Sequence, residues 1–270
     1  MTKNSSTDRA VLLSVVQAAA DAAQRVTLAH FRSPRLNTEN KYTVGFYPVT
    51  KADRDAEAAI RDVLAKLRPD DAVLGEEHGF REGTSGLTWV LDPIDGTRGY
   101  ISGTPTWGTL ISLRDANGPI FGMIDQPYIG ERFIGGFGLA ELYRGHETTK
   151  LSVRPAASLQ DAILFSTFPE VGTKSENDAF RALSKNVQLT RYGMDCYAYA
   201  LLAAGQIDLV VEAGLFAYDI QAPIAVIQAA GGIVTNWQGA PAHDGGRVVA
   251  AASEGLHAAA LEFLSQAPQD

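Results

Sequence analysis

Trp89-Val90-Leu91-Asp92-Pro93-Ile94-Asp95-Gly96-Thr97 passes from three apolar residues to two carboxylates, a glycine and a hydroxyl. The apolar start predicts a strand over 88–91. A carboxylate at a strand's end, followed by proline and a tight glycine turn, is held rigidly and faces a cleft. Asp92 and Asp95 are three residues apart and converge if that turn curls back. Convergent carboxylates repel one another unless a hard cation lies between them. Oxygen ligands without histidine or cysteine suit Mg²⁺ better than Zn²⁺. Gly96 and Thr97 then supply backbone N–H groups and a hydroxyl, and a helix starting there would turn its N-terminus toward a phosphate. The competing reading is a plain turn, since Asp-Pro and Asp-Gly are common turn pairs.

Upstream, apolar residues at Val11, Val15, Ala18, Ala22, Val26 and Ala29 predict a helix over 11–31. Residues 35–49 are polar, carry Gly45 and Pro48, and read as an extended segment or loop. Thr50-Lys51-Ala52-Asp53 has capping-box spacing and opens a second helix over 51–67, with Ile60, Val63, Leu64 and Leu67 as its buried stripe. A short strand over 72–74 ends at Gly75. Downstream, 109–113 and 120–124 flank the turn Asp115-Ala116-Asn117-Gly118 and predict an antiparallel hairpin, extended by 132–134 and 140–143. Strands at 162–167, 207–212 and 248–252 alternate with helices at 178–183, 197–204, 220–230 and 255–264. This order predicts a layered α/β fold with mixed or antiparallel sheets, in two lobes, 1–145 and 146–270.

The 270 residues carry 23 basic and 31 acidic side chains, a net charge of −8. That balance opposes nucleic-acid binding and an anionic membrane surface. No apolar run reaches the length of a membrane span, and residues 1–8 lack an apolar signal core. The single cysteine, Cys196, permits no intrachain disulfide and fits a reducing cytoplasm. Cys196 reads as a buried helix thiol. The five histidines are scattered without metal-site spacing, His78 alone bordering the acidic segments. Gly135-Gly136-Phe137-Gly138 reads as a hairpin turn rather than a phosphate loop. Trp107 is of interest because its segment follows the acidic motif.

Three further acidic positions stand beside the opening stretch: Asp53, Glu76-Glu77 after Gly75, and Asp219 after Tyr218. Taken singly, Glu76-Glu77 is an exposed turn and Asp219 a helix N-cap. Taken together, the segments resemble the inositol monophosphatase superfamily. Residues 89–97 are similar to its first signature and Gly75-Glu76-Glu77 to its metal-binding glutamate segment. Val49-Thr50-Lys51-Ala52-Asp53 is similar to the segment before its second helix. Tyr218-Asp219 with Ala230-Gly231-Gly232 is similar to its second signature, with Tyr-Asp where Trp-Asp is usual. The resemblance covers about residues 10–265. Within the superfamily the chain resembles bacterial and plant histidinol-phosphate phosphatases, on residues 98–103, 107–110, 191–199 and 208–215. Met194 departs from the glycine usual there.

That resemblance implies an α-β-α-β-α sugar-phosphatase fold and a Mg²⁺-dependent phosphomonoester hydrolase. It implies that Glu76, Asp92, Asp95 and Asp219, with the Ile94 carbonyl, hold two or three Mg²⁺ ions, which Mn²⁺ can replace. Four carboxylates and a phosphate dianion are then roughly neutralised. It assigns catalysis to Asp53, Thr97 and Glu76: water attacks phosphorus directly, and Thr97 with Asp53 relays its proton. Gly96 and Thr97 are expected to bind phosphate. Asp195, Glu212, Arg191 and Met194 are expected to bind the rest of the substrate, with Asp195 and Glu212 suiting a cation. Histidinol phosphate is the expected substrate, and inositol 1-phosphate or another small sugar or nucleotide monoester the alternative. A homodimer is expected. Some superfamily members act instead in transcription complexes; the full set of acids and the net charge oppose that reading here.

Overall fold

The computed structural model describes residues 6–33, 38–40, 48–155 and 158–268. The chain opens with α1 (Ser6–His30). A ribbon of β1 (Thr38–Asn40) and β2 (Pro48–Thr50) leads into α2 (Lys51–Leu67). Next come β3 (Ala72–Gly75), β4 (Gly79–Arg81), β5 (Thr88–Asp95) and the short α3 (Thr97–Ser102). β6 (Gly108–Asp115), β7 (Gly118–Gln126), β8 (Glu131–Gly136), β9 (Leu139–Arg144) and β10 (Glu147–Lys150) follow as a meander. The remainder is β11 (Ile163–Ser166), α4 (Lys174–Ser184), β12 (Leu189–Tyr192), α5 (Cys196–Ala203) and β13 (Leu209–Phe216), then α6 (Ala217–Ala229), β14 (Ile233–Thr235), β15 (Gly245–Ala251) and α7 (Glu254–Leu264).

The strands form two large sheets. The first has the order β10-β9-β8-β7-β6-β5-β3-β4, and only its β3–β5 pair is parallel. The second has the order β12-β11-β13-β15-β14, with β11 parallel to both neighbours and the β15 pairs antiparallel. Three apolar clusters glue the layers. One joins α1 and α2 to the first sheet around Val16, Ile60, Trp89 and Leu113. A second lies between the sheets around α5 and α6, and a third joins the second sheet to α4 and α7 around Phe180, Trp237 and Leu264. The expected α-β-α-β-α layering is therefore present. Trp89 is fully buried; truncating a core aromatic to alanine costs about 3–5 kcal/mol.

α6 lies between the two sheets, and glycines in the first sheet let it in. A Cβ on Gly135 would stand 2.4 Å from the Val226 Cα, and one on Gly122 2.5 Å from the Ala222 oxygen. That close approach seats the middle of α6 on β7 and β8.

The local readings hold with instructive shifts. The Thr50–Asp53 capping box forms and α2 spans the expected 51–67. In α1 the buried face is Leu12, Val15, Val16, Ala19, Ala20, Ala22 and Ala23; Val15 and Ala22 of the expected stripe are in it, while Val11 is 44% exposed, so the face is partly rotated from the expected one. In α2 the stripe runs Ala52, Asp53, Ala56, Glu57, Ile60, Leu64, and Leu67 is exposed. The polar end of that stripe, Asp53 and Glu57, points at the site described below. β5 does not stop at Leu91 but runs through Asp95. α6 starts at Ala217 rather than near Ile220, which places Pro223 inside the helix. Without a proline N–H, the Asp219 carbonyl lacks its helical partner. Phe137 and Gly138 take φ of 52° and 77°, the hairpin turn expected there. Of residues 35–49, only 38–40 and 48–49 lie within the described residues. No helix among the described residues is long and apolar enough to cross a membrane.

Candidate active site

Proline at 93 has no N–H to give to the β5–β6 ladder, and the strand bulges there. Asp92 faces Leu110 across the pair and Asp95 faces Gly108, so three steps on β5 match two on β6. In a regular strand, residues three apart point to opposite faces. The extra residue reverses that parity and brings both carboxylates to one side. The bulge satisfies its own polar groups: Ile94 N donates to Asp92 Oδ1 at 3.0 Å, and Thr109 Oγ1 donates to the Pro93 oxygen at 2.8 Å.

Asp219 arrives from the first turn of α6, where its Oδ2 accepts from Phe216 N at 2.7 Å. Asp92, Asp95 and Asp219 each offer a carboxylate oxygen, and these lie within 4.8 Å of one another. Glu76, in the turn after β3, lines a common cleft beside Asp92. Burial first, then repulsion from Glu76, Asp95 and Asp219, pushes Asp92 well above the usual carboxylate range. Asp219 is raised well above it too, by burial and then Asp95. Asp95 is pushed up to about 7, by burial and then by Asp195, although Cys196 N donates to its Oδ2 at 2.6 Å. Crowded, half-desolvated carboxylates of this kind fit hard divalent cations: the donors are all oxygen, and the repulsion is what a cation would relieve.

Beside the cluster, Gly96 takes φ of 82° and opens α3 at Thr97. Thr97 Oγ1 lies 3.2 Å from the Ile94 oxygen and 3.4 Å from Asp53 Oδ1. The other Asp53 oxygen accepts from Thr50 N and Oγ1, at 2.8 and 2.6 Å. The helix cap thus fixes Asp53 by one oxygen and leaves the other toward Thr97.

Apart from Asp53, which is buried behind Thr97, the acids and Gly96–Thr97 line one cleft of about 1190 Å³. Its opposite wall carries Asp195, Glu212, Glu170, Glu176 and Arg247, while Arg98 follows Thr97 on α3 and lines the same cleft. Arg247 is committed to Glu176 at 2.5 Å. Glu212 accepts from Thr167 N and Oγ1, at 2.7 and 2.8 Å, yet burial pushes it up to about 8. Asp195 has φ of 46° and makes no side-chain cap on α5. Its carboxylate packs against Gly96 and Gly99 and accepts from Thr106 Oγ1 at 3.4 Å, and burial pushes it up to about 6. Two aromatic rings stand exposed on the same wall. Phe168 lies under the Arg98 guanidinium at 4.9 Å, and Phe216 stacks on Tyr218 at 5.2 Å.

The sequence profile of the inositol monophosphatase family matches residues 8–269. The chain belongs to that family. It is 39% identical over 262 residues to the chloroplastic bifunctional phosphatase IMPL2 of Arabidopsis thaliana, covering 93% of this chain and 74% of that protein. It is 36% identical to a histidinol-phosphatase of Streptomyces coelicolor, covering 94% and 97%. A solved inositol monophosphatase from Zymomonas mobilis superposes with a TM-score of 0.83 at 36% identity, covering 97% of this chain and all of that one.

In this inositol monophosphatase-family chain, the fold gathers Asp53, Glu76, Asp92, Ile94, Asp95, Gly96, Thr97, Asp195, Glu212 and Asp219 around one space. It does not bring Arg191 or Met194 there. Arg191 is exposed on the edge strand β12, and Met194 packs half-buried against the cluster between the sheets. β12 is the edge of its sheet and is exposed along most of its length, which sequence proximity to Asp195 conceals. Trp107 is fully buried with Phe31 and Tyr100, away from the cleft. His78 is exposed, its ring beside the Arg54 oxygen. Phe168 and Glu170, in a loop, and Phe216, at the very end of β13, carry no periodicity that marks them in the sequence.

Proposed function

We propose that the chain is a Mg²⁺-dependent phosphomonoester hydrolase whose preferred substrate is L-histidinol phosphate. The observation that carries the hydrolase reading is the meeting of Asp92, Asp95 and Asp219 beside Gly96-Thr97. In this reading Glu76, Asp92, Asp95, Asp219 and the Ile94 carbonyl hold the cations. Bound Mg²⁺, or Mn²⁺ in its place, would supply charge screening and the acidification of water. The chain's own groups do the rest. Gly96 and Thr97 N–H groups orient the phosphate oxygens. Thr97 Oγ1 stands between solvent and Asp53 Oδ1, placed to pass a proton to that carboxylate. Cys196 N holds Asp95 in position, so α5 carries the second wall in register with the first.

Two features of that second wall support the finer reading. Its surplus of carboxylates suits a substrate with an ammonium group. Its exposed rings, Phe168 and Phe216, suit a planar heterocycle. The likeness to a protein named histidinol-phosphatase agrees. A homodimer, expected from the family, is part of the same proposal and is read by sedimentation.

The test is phosphate release with Mg²⁺ from L-histidinol phosphate, inositol 1-phosphate, glycerol 2-phosphate and adenosine monophosphate. L-Histidinol phosphate is expected to lead in kcat/KM by about tenfold or more, the worth of one charge-assisted bond. A lead by inositol 1-phosphate would overturn the substrate assignment alone. No turnover of any ester would overturn the hydrolase.

A further inference from the structure

Glu57 is fully buried on the second turn of α2, one turn beyond Asp53. A buried carboxylate needs strong partners, and this one has three. Its Oε2 accepts from Glu77 N at 2.7 Å, its Oε1 from His78 N at 3.2 Å and from Arg61 Nε at 2.7 Å. The two amides are the first two after Glu76. On the other side, Glu76 N donates to the Leu91 oxygen at 3.2 Å, the residue before Asp92. Glu76 is thus gripped between β5 and Glu57. Arg61, four residues along α2, also donates to the Gly79 oxygen and closes the far end of the same turn. Gly75 belongs to the arrangement. A Cβ there would lie 2.0 Å from Glu57 Oε1, so the carboxylate occupies the space a side chain would need.

We propose that Glu57 is a positioning residue that sets the Glu76 side chain, and through it the affinity of the acid cluster for a divalent cation. α2 then acts as a rigid ruler: Asp53 reaches Thr97 while Glu57, one turn later, holds the Glu76 turn. An ordinary loop anchor would affect stability only. Partners one step behind a ligand typically change metal affinity by about 10- to 100-fold when removed. The inference rests on Glu76 being a ligand, and the test separates the two.

Chelator-treated parent, Glu57→Gln, Glu76→Gln and the double variant are titrated with Mn²⁺, and free ion is read by electron paramagnetic resonance. Circular dichroism confirms folding at the titration temperature. Glutamine keeps the volume and one acceptor but sets an N–H₂ against one amide and Arg61, so the variant is expected to fold. The expected result is a loss of about tenfold in Mn²⁺ affinity for Glu57→Gln, with kcat at saturating metal close to the parent's. The double variant should bind no more weakly than Glu76→Gln alone, because both changes act at one place. Parent-like Mn²⁺ binding by Glu57→Gln, or full additivity in the double variant, would overturn the proposal. Parent-like binding by Glu76→Gln would instead remove the ligand reading beneath it.

Discussion

Two strands bulge beside the cleft, and they differ in what surrounds the bulge. On β5 the extra residue lies between Asp92 and Asp95, in buried backbone whose donors and acceptors are met by Asp92 and Thr109. On β13 it lies between Glu212 and Leu215, where Gly214 is exposed and Phe216 is 50% exposed. The first bulge is braced by α2, β3 and β6; the second opens to solvent. Chemistry that depends on charge placed to within a fraction of an ångström sits on the braced side. Recognition, which tolerates adjustment, sits on the open side. Changes at β5 should therefore strike metal binding and kcat, and changes near β13 should strike KM and selectivity.

The largest effect expected is from Asp92→Asn. It removes one carboxylate from the cluster and should lower kcat/KM on the order of a thousandfold for every ester alike. The same change should raise the melting temperature of the chelator-treated protein, because asparagine avoids the cost of burying a carboxyl and crowding it against Glu76, Asp95 and Asp219. Calorimetry in chelator checks this; a lower melting temperature would show that the cluster is not strained without cations. Asp195→Asn comes next, and it tests the seam between the two sides. Asparagine keeps the shape beside Gly96 and can still accept from Thr106. The lost charge should cost a cationic substrate about 1.5–3 kcal/mol, roughly 10- to 100-fold in kcat/KM. Glycerol 2-phosphate should lose much less. Equal losses would place Asp195 wholly on the braced side.

A smaller effect concerns stability and pH. Asp195, Asp95 and Glu212 keep their protons in the folded, cation-free chain up to about 6, about 7 and about 8. The unfolded chain releases them near pH 4. Between those limits the folded state binds more protons, so stability falls as pH rises. This contribution is complete below about pH 4 and lost above the folded values. The melting temperature in chelator should fall from pH 6 to pH 8.5, and saturating Mg²⁺ should flatten the fall. A rising curve in chelator would contradict the crowding of these acids.

The same asymmetry explains what could be read from the sequence. The braced side is encoded by contiguous patterns: the capping box at Thr50–Asp53 and the stretch 89–97. Each pattern has a local physical cause, so each was readable. The bulge itself was not, because Asp-Pro-Ile-Asp-Gly is as compatible with a turn as with a bulged strand. Only pairing with β6 decides between them. Glu57 was hidden for another reason. On α2 it falls in line with Ile60 and Leu64, and its buried partners are amides twenty residues away. On the open side, nearness in sequence to Asp195 does not carry Arg191 and Met194 into the cleft: Arg191 lies on the exposed edge strand, and Met194 packs against the core between the sheets.

The smallest effect separates the two sides most cleanly. The rings of Phe168 and Phe216 are exposed, and Phe216 reaches Asp219 by its backbone N–H rather than by its ring. Replacing either with alanine removes ring surface from the cleft without disturbing β5. A ring-on-ring contact is worth about 0.5–1.5 kcal/mol, so each variant should raise KM for L-histidinol phosphate roughly 2- to 10-fold and leave kcat nearly unchanged. KM for glycerol 2-phosphate, which has no ring, should not move. Mn²⁺ affinity should not move either, because alanine keeps the backbone N–H at 216 that holds Asp219. If Phe168→Ala lowered kcat for both esters, the Arg98 guanidinium above its ring would have to be acting on the phosphate. The open wall would then share in the chemistry, and the division between the two bulges would fail.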